Sequence, residues 1–189
     1  LFNENMTDPR YLEDTYDRTF EAVVERTVDD RVVLDETLFY PEGGGQPHDE
    51  GTISFDGQTA QVTHVEKKDD IYHRLDGSVP DAGTHVTGTL DWDRRYAHMR
   101  YHTAQHLLSA VLLAEFDAKT TGNQLHADRA RIDCEYERFG DTDLAAIEDR
   151  VNEHVEATRP VTWETMDRDA AESILDPERT RLELLPDSI

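Results

Sequence analysis

Residues Leu90–Ala110, LDWDRRYAHMRYHTAQHLLSA, are where the chain changes its period. Before them, apolar residues come in short alternating runs. From Arg95 to Glu115 they recur every three or four positions, with Ala104, Leu108, Val111 and Leu112 in one stripe. That spacing predicts an amphipathic helix. Met99, His102, His106 and Leu113 fall on a neighbouring face of it.

Upstream, Glu21–Val28 and Arg31–Tyr40 flank Asp29-Asp30, a hairpin signal. Gly51–Phe55, Thr59–Val65, Ile71–Leu75 and His85–Trp92 follow, separated by turn signals such as Asp56-Gly57 and Asp76-Gly77. Five or six short strands at this spacing predict a small β-barrel. Downstream, Ala118–Tyr136 reads as two strands around a polar turn. Asp141–Leu144 opens a helix carried by Leu144, Ile147, Val151 and Val155 and ended by Pro160. Val161–Thr165 reads as a strand, Asp167–Leu175 as a short helix, and Leu182–Leu185 as a last strand. The fold class is α+β: a barrel over residues 1–93, then an α+β domain over 94–189 that is expected to be incomplete at its C-terminal end.

Charge is the strongest compositional feature. Asp and Glu number 42 against 19 Lys and Arg, a net charge of −23 over 189 residues. The lysines are Lys67, Lys68 and Lys119 alone. Acid is spread along the whole chain, and the apolar periodicity excludes a disordered acidic tail. The expectation is a folded domain with a solvated acidic surface, as suits a halophilic cell whose molar salt screens repulsion over roughly 3 Å. Such acidity does not exclude a nucleic-acid partner; it shows only that no large basic patch advertises one. No apolar run is long enough for a transmembrane helix. The single cysteine, Cys134, excludes an internal disulfide and suits a reducing cytoplasm. Residues 1–5 precede Met6, the expected native start.

His102 and His106 are one helical turn apart, so both imidazoles can reach one ion. The alternative is two partly buried polar residues on a core helix. Thr103 stands where a zinc protease would carry its glutamate, which excludes that chemistry. His98 lies four residues earlier, but the row drifts by about 40° per step, so it is left out of the pair. A second signal is LFYPEGGGQPHDEG, Leu38–Gly51. Gly43, Gly44 and Gly45 allow backbone conformations closed to other residues. Gln46 and Asp49 beside them argue for an ordered loop rather than a flexible link.

TLFYPEGGGQPHDEG (37–51), the helix segment above and GNQLHADRARID (122–133), in this order, resemble the alanyl-tRNA editing proteins of the AlaX type, medium or long form, and the editing domain of alanyl-tRNA synthetase. The resemblance implies an editing domain of the threonyl/alanyl-tRNA synthetase common-domain type. It implies an aminoacyl-tRNA deacylase that removes serine, and possibly glycine, from tRNA(Ala). An alanine site cannot reject these by binding alone, so a second, hydrolytic site is needed. It implies zinc (Zn2+), held by His102, His106 and a later C-x-x-x-H. By the same resemblance Thr121 faces the substrate side chain, Gln105 and Gln124 are candidates to bond the substrate or the terminal adenosine, and Gly43, Gly44, Gly45 and Gln46 bind substrate. Arg94, Arg95 and Arg100 are candidates for phosphate contacts or surface ion pairs.

The chain departs from the family pattern at the later motif. Cys134 is followed by Glu135-Tyr-Glu-Arg138, with arginine where histidine is needed, and reads as a core residue. Ala82–Val86, AGTHV, resembles part of the motif but precedes the helix, with Asp81 in place of cysteine. The remaining ligands are therefore expected beyond Ile189, leaving these residues alone metal-poor and nearly inactive. Two other readings stay open: an editing-domain fragment of alanyl-tRNA synthetase, and a metal-free tRNA-binding module.

Overall fold

The computed structural model describes residues 6–13 and 15–175. The predicted strand Leu182–Leu185 lies outside them. The chain divides into two compact units. One runs to His102 and takes in Leu125–Arg129; the other comprises Thr103–Gln124 and the described residues from Ala130. The sequence boundary at Asp93 is the change from strand to helix, whereas this division falls inside the helix that follows.

The first unit is a closed antiparallel barrel. Its strands are β1 (Thr19–Val28), β2 (Arg31–Leu34), β3 (Gly51–Phe55), β4 (Gln58–Lys67), β5 (Ile71–Asp76) and β6 (His85–Leu90), in the order β1-β2-β5-β4-β3-β6. Alternation sends Phe20, Ala22 and Val24 of β1 inward, against Val62 of β4 and Val86 of β6. Closure brings strands close together at glycines. A Cβ on Gly51 would sit 2.1 Å from the Thr89 carbonyl oxygen, and one on Gly88 2.2 Å from the Phe20 ring. Both positions therefore exclude any side chain.

Arg31–Tyr40 is not one strand. β2 ends at Leu34, because the Asp35 carboxylate accepts the Val23 and Glu36 amides and turns the chain inward. Leu38 and Phe39 then enter the barrel core, both fully buried. Inside it, the buried His73 ring bonds the Thr37 hydroxyl at 2.8 Å and the Val32 carbonyl at 3.3 Å.

Helix α1 (Trp92–Phe116) starts three residues earlier than the apolar stripe predicts. Asp91 supplies the reason: its carboxylate accepts the Arg94 amide at 3.2 Å, as a helix cap does. The helix ends at Asp117, in the left-handed region with φ 51°, while the Ala118 amide reaches back to the Leu112 carbonyl. The second unit adds a two-stranded sheet, β7 (Thr120–Leu125) with β8 (Ala130–Cys134), then α2 (Asp141–Glu156) and α3 (Arg168–Ile174). Leu112, Ala118 and Ile147 are its buried core, with half-buried Leu108, Ile132 and Cys134 packed on them. The expected strand Val161–Thr165 does not form. Val161 is 78% exposed and Trp163 66% exposed, and among the described residues no strand lies beside them to complete a ladder. No helix among the described residues is long and apolar enough to cross a membrane.

Candidate functional site

The glycine run forms a tight turn. The Gly43 amide bonds the Gln46 carbonyl at 3.1 Å, and the Gln46 amide bonds the Gly43 carbonyl at 3.0 Å. The two residues between them, Gly44 and Gly45, have φ of 60° and 80°. Two successive positive φ values define a hairpin turn that glycine occupies at little cost. The turn is anchored on several sides. The Glu42 amide donates to the Val65 carbonyl, the Tyr40 hydroxyl to the Gly43 carbonyl, and the Leu125 amide to the Gly45 carbonyl at 2.9 Å.

Gln46 leaves this turn as a buried side chain, and its Oε1 lies 2.8 Å from His102 Nδ1. A carboxamide oxygen only accepts, so Nδ1 is the donor in this bond, and in the neutral ring the lone pair then lies on Nε2. That is the state in which a histidine binds a metal through Nε2. His102 is half-buried; His106, one turn along α1, is exposed. By residue type, two imidazoles one helical turn apart supply at most part of the four ligands that zinc takes. Among the described residues no group of three or more His, Cys, Asp or Glu side chains could hold a metal ion.

Asp49 fixes the far end of the loop. Its Oδ2 accepts the Tyr40 amide at 2.8 Å and Arg95 Nε at 2.9 Å, with Arg95 Nη2 closing the ion pair. Arg95 also donates to the Leu38 carbonyl. At 3% exposure Arg95 cannot meet a phosphate; ion pairing is its role. Arg94 bonds the His48 carbonyl at 3.1 Å and lies 3.4 Å from Glu50. Arg100 lies over the Tyr96 ring. His98, set aside on sequence, is fully buried, and neither ring nitrogen has a hydrogen-bond partner among the described residues. Burial, and then the Arg94 charge, lower its pKa and keep it neutral. Burial likewise raises the Tyr40 phenol, helped by the Asp49 carboxylate.

The other expected site residues lie in the second unit. Gln105 is buried on α1, and its Nε2 donates to the Arg131 carbonyl at 3.0 Å. It lines a cleft of about 310 Å³ with Leu108, Ile132, Ile147 and Val151. Thr121 and Gln124 are exposed on β7. The structure thus joins Gly43–Gln46 to His102 within the first unit. Sequence reasoning missed the Gln46–His102 bond and the Asp49–Arg95 pair. Their only signal was that Gln46 and Asp49 follow the glycines, and that two arginines open the helix.

Comparison with known proteins places the chain in a family. The family described as tRNA synthetases class II (A) matches residues 2–94. The chain is 43% identical over 178 residues to the alanyl-tRNA editing protein AlaX-M of Methanosarcina barkeri, covering 90% of this chain and 73% of that one. It is 43% identical over 180 residues to AlaX-M of Methanosarcina acetivorans, covering 90% and 74%. It is also 42% identical over 167 residues to the alanine–tRNA ligase of Thermococcus kodakarensis, covering 86% of this chain and 18% of the ligase. With that identity over nearly the whole chain and almost three quarters of its relatives, the chain belongs to the family of the AlaX-M alanyl-tRNA editing proteins.

Proposed function

We propose that this protein edits alanine tRNA by hydrolysing the ester of a wrongly attached amino acid, serine first and glycine second. The observation that carries the reading is the bond from Gln46 to His102. It couples the glycine turn to the histidine helix, the two segments on which the resemblance to the editing proteins rests. Family membership supports alanyl-tRNA editing as the general activity, in the cytoplasm where tRNA is charged.

The residues divide the work. The turn at Gly44-Gly45 sets the position of Gln46, and Gln46 orients the His102 ring. His102 and His106 would hold Zn2+, which supplies a Lewis acid for the ester carbonyl or for a water. By the family resemblance Thr121 would read the side-chain hydroxyl of a seryl ester, and Gln124 would bond the substrate or the terminal adenosine. Gln105 gives one amide hydrogen to the Arg131 carbonyl, which leaves its second amide hydrogen and its carbonyl oxygen for substrate.

A second reading has its own observation. The match to 18% of an alanine–tRNA ligase means that the same segment occurs inside a synthetase, where it would edit in cis. Hydrolysis of Ser-tRNA(Ala), Gly-tRNA(Ala) and Ala-tRNA(Ala) is the test, with and without added zinc and after chelation. Release of serine but not alanine, abolished in His102→Ala, is expected. Equal hydrolysis of all three esters, or none by any form of the protein, would remove the proposal.

A further inference from the structure

An aromatic stack lies on the surface of the first unit at the start of α1. The Trp92 and Tyr96 rings stack at 5.7 Å with 19° between their planes, and Tyr16 meets Trp92 at 6.0 Å. The Arg18 guanidinium lies 4.4 Å over Trp92, and that of Arg100 lies 6.0 Å over Tyr96. Tyr16 is 63% exposed and Tyr96 41% exposed. Among the described residues neither Arg18 nor Arg100 has a carboxylate at ion-pair distance.

A second group of this kind shows the contrast. Arg26 and Arg31 also lie over a ring, that of Tyr72, each at 5.5 Å. There each guanidinium is matched to an acid: Arg26 to Asp70 at 3.6 Å and Arg31 to Glu66 at 3.5 Å. In a chain of net charge −23, unmatched cations between exposed rings are not explained by the general surface.

We propose that Tyr16, Arg18, Trp92, Tyr96 and Arg100 form a stacking platform for unpaired nucleotides of an RNA 3′ end. This deepens the editing reading and rests on it. Bases stack on aromatic rings and on guanidinium planes alike, and arginine adds a phosphate contact. Inside a duplex each base face is covered by its neighbours and only the terminal pair is open, so the stack favours a single strand. Tyr96 precedes His102 by six residues and Trp92 by ten, about 9 and 15 Å along the helix axis and about 120° and 80° around it, so a strand reaching both would wrap across the helix surface. An esterified terminal nucleoside near His102 would leave the preceding unpaired nucleotides over these rings. The acidic surface repels RNA elsewhere, so attraction depends on stacking more than on charge.

The test uses the full chain carrying Trp163→Phe, so that Trp92 is the fluorophore. A short unstructured RNA is titrated in, beside a blunt RNA hairpin of equal charge. The single strand should quench Trp92 and the hairpin should not. Tyr96→Ala should weaken single-strand binding roughly tenfold or more. Arg18→Gln with Arg100→Gln, both on exposed side chains that leave the fold intact, should weaken it and flatten its salt dependence. That dependence should be no steeper than about −1.4 in log–log slope, two phosphates at roughly 0.7 each. Preference for the hairpin, or binding unchanged in both variants, overturns the platform. Deacylation is assayed separately. Hydrolysis of Ser-tRNA(Ala) with no Trp92 response removes the platform and leaves the editing reading. A Trp92 response without hydrolysis by any form removes the editing reading and leaves the single-strand site.

Discussion

The two units of this chain obtain their order in different ways. The barrel closes on itself, so every strand has two neighbours and its interior is filled by fully buried Leu34, Phe39, Ile53 and Val65. The second unit has a two-stranded sheet and a small buried core, and it leaves Leu144, Val155, Val161 and Trp163 exposed. A closed barrel has no edge to protect and little tolerance for added volume. A two-stranded sheet depends on what packs against it and yields locally. Substitutions in the barrel should therefore act on the whole unit at once. Substitutions in the second unit should act piecemeal.

The largest effect is expected at Gly51 and Gly88. Alanine at either position puts a methyl about 2 Å from backbone or ring, and both neighbours are held by the closed sheet. Each variant should lose well over ~3 kcal/mol, beyond the usual cost of overpacking. Urea unfolding followed by far-UV circular dichroism would show this. A change below about 1 kcal/mol would mean that the barrel flexes in a way the comparison denies.

Next comes the ion pair that ties the loop to α1. Arg95 and Asp49 are both almost fully buried. Arg95→Met leaves a carboxylate without its cation, a loss of ~3–5 kcal/mol for a broken buried pair. Arg95→Met with Asp49→Leu should recover much of that loss, because an apolar pair replaces two buried charges. Failure of the double variant to recover would mean that the loop needs the Tyr40 amide bond to Asp49 more than it needs the charge balance.

The barrel should also be sensitive to acid through His73. Burial holds its pKa at about 4, against 6.5 for an ordinary histidine. The unfolded chain therefore binds the proton first. The stabilising contribution is complete above pH 6.5, falls as pH drops from 6.5 toward 4, and levels off below. Its size is about 3 kcal/mol. His98, lowered by burial, acts in the same direction. Stability measured between pH 7 and pH 4 should fall less steeply in His73→Gln than in the parent. Parallel curves would assign the acid sensitivity to other groups.

The fold was legible where the period was strong. Alternation, with turn signals such as Asp56-Gly57, places the barrel strands; the spacing of Ala104, Leu108 and Leu112 places α1. Misreadings came where a single side chain overrides the pattern. Asp35 takes two backbone amides and ends β2, although Thr37–Tyr40 continues to look like strand. Val161–Thr165 has strand-forming residues but no partner strand among the described residues, and propensity alone does not make a ladder. At the site, residue types were readable and pairings were not. His102 stood out by its spacing from His106, yet nothing in spacing shows that a glutamine 56 positions away holds its ring. Nor could sequence separate Arg95, committed to Asp49, from Arg100, which lies over Tyr96.

The smallest effect on stability, and the sharpest on the site, is expected at Gly44. A Cβ there would meet only the Tyr40 hydroxyl, at 3.8 Å, an ordinary contact. The cost of substitution is therefore the positive φ of 60° alone, about 1–2 kcal/mol for an ordinary residue. Asparagine tolerates this region, so Gly44→Asn should be nearly neutral in stability, in the Gln46–His102 bond and in deacylation. Valine does not tolerate it. Gly44→Val should open the turn and displace Gln46, while the barrel, whose core the turn does not enter, keeps its melting transition. Loss of the orienting bond should lower zinc affinity about 10–100-fold, as for other partners of metal-binding histidines. Chelator competition reads that loss, and the NMR tautomer state of His102 reads its cause. If Gly44→Val and Gly44→Asn behave alike in both measurements, the turn is not what holds Gln46 in place, and the link from glycine loop to histidine helix must run through Asp49 and Arg95 instead.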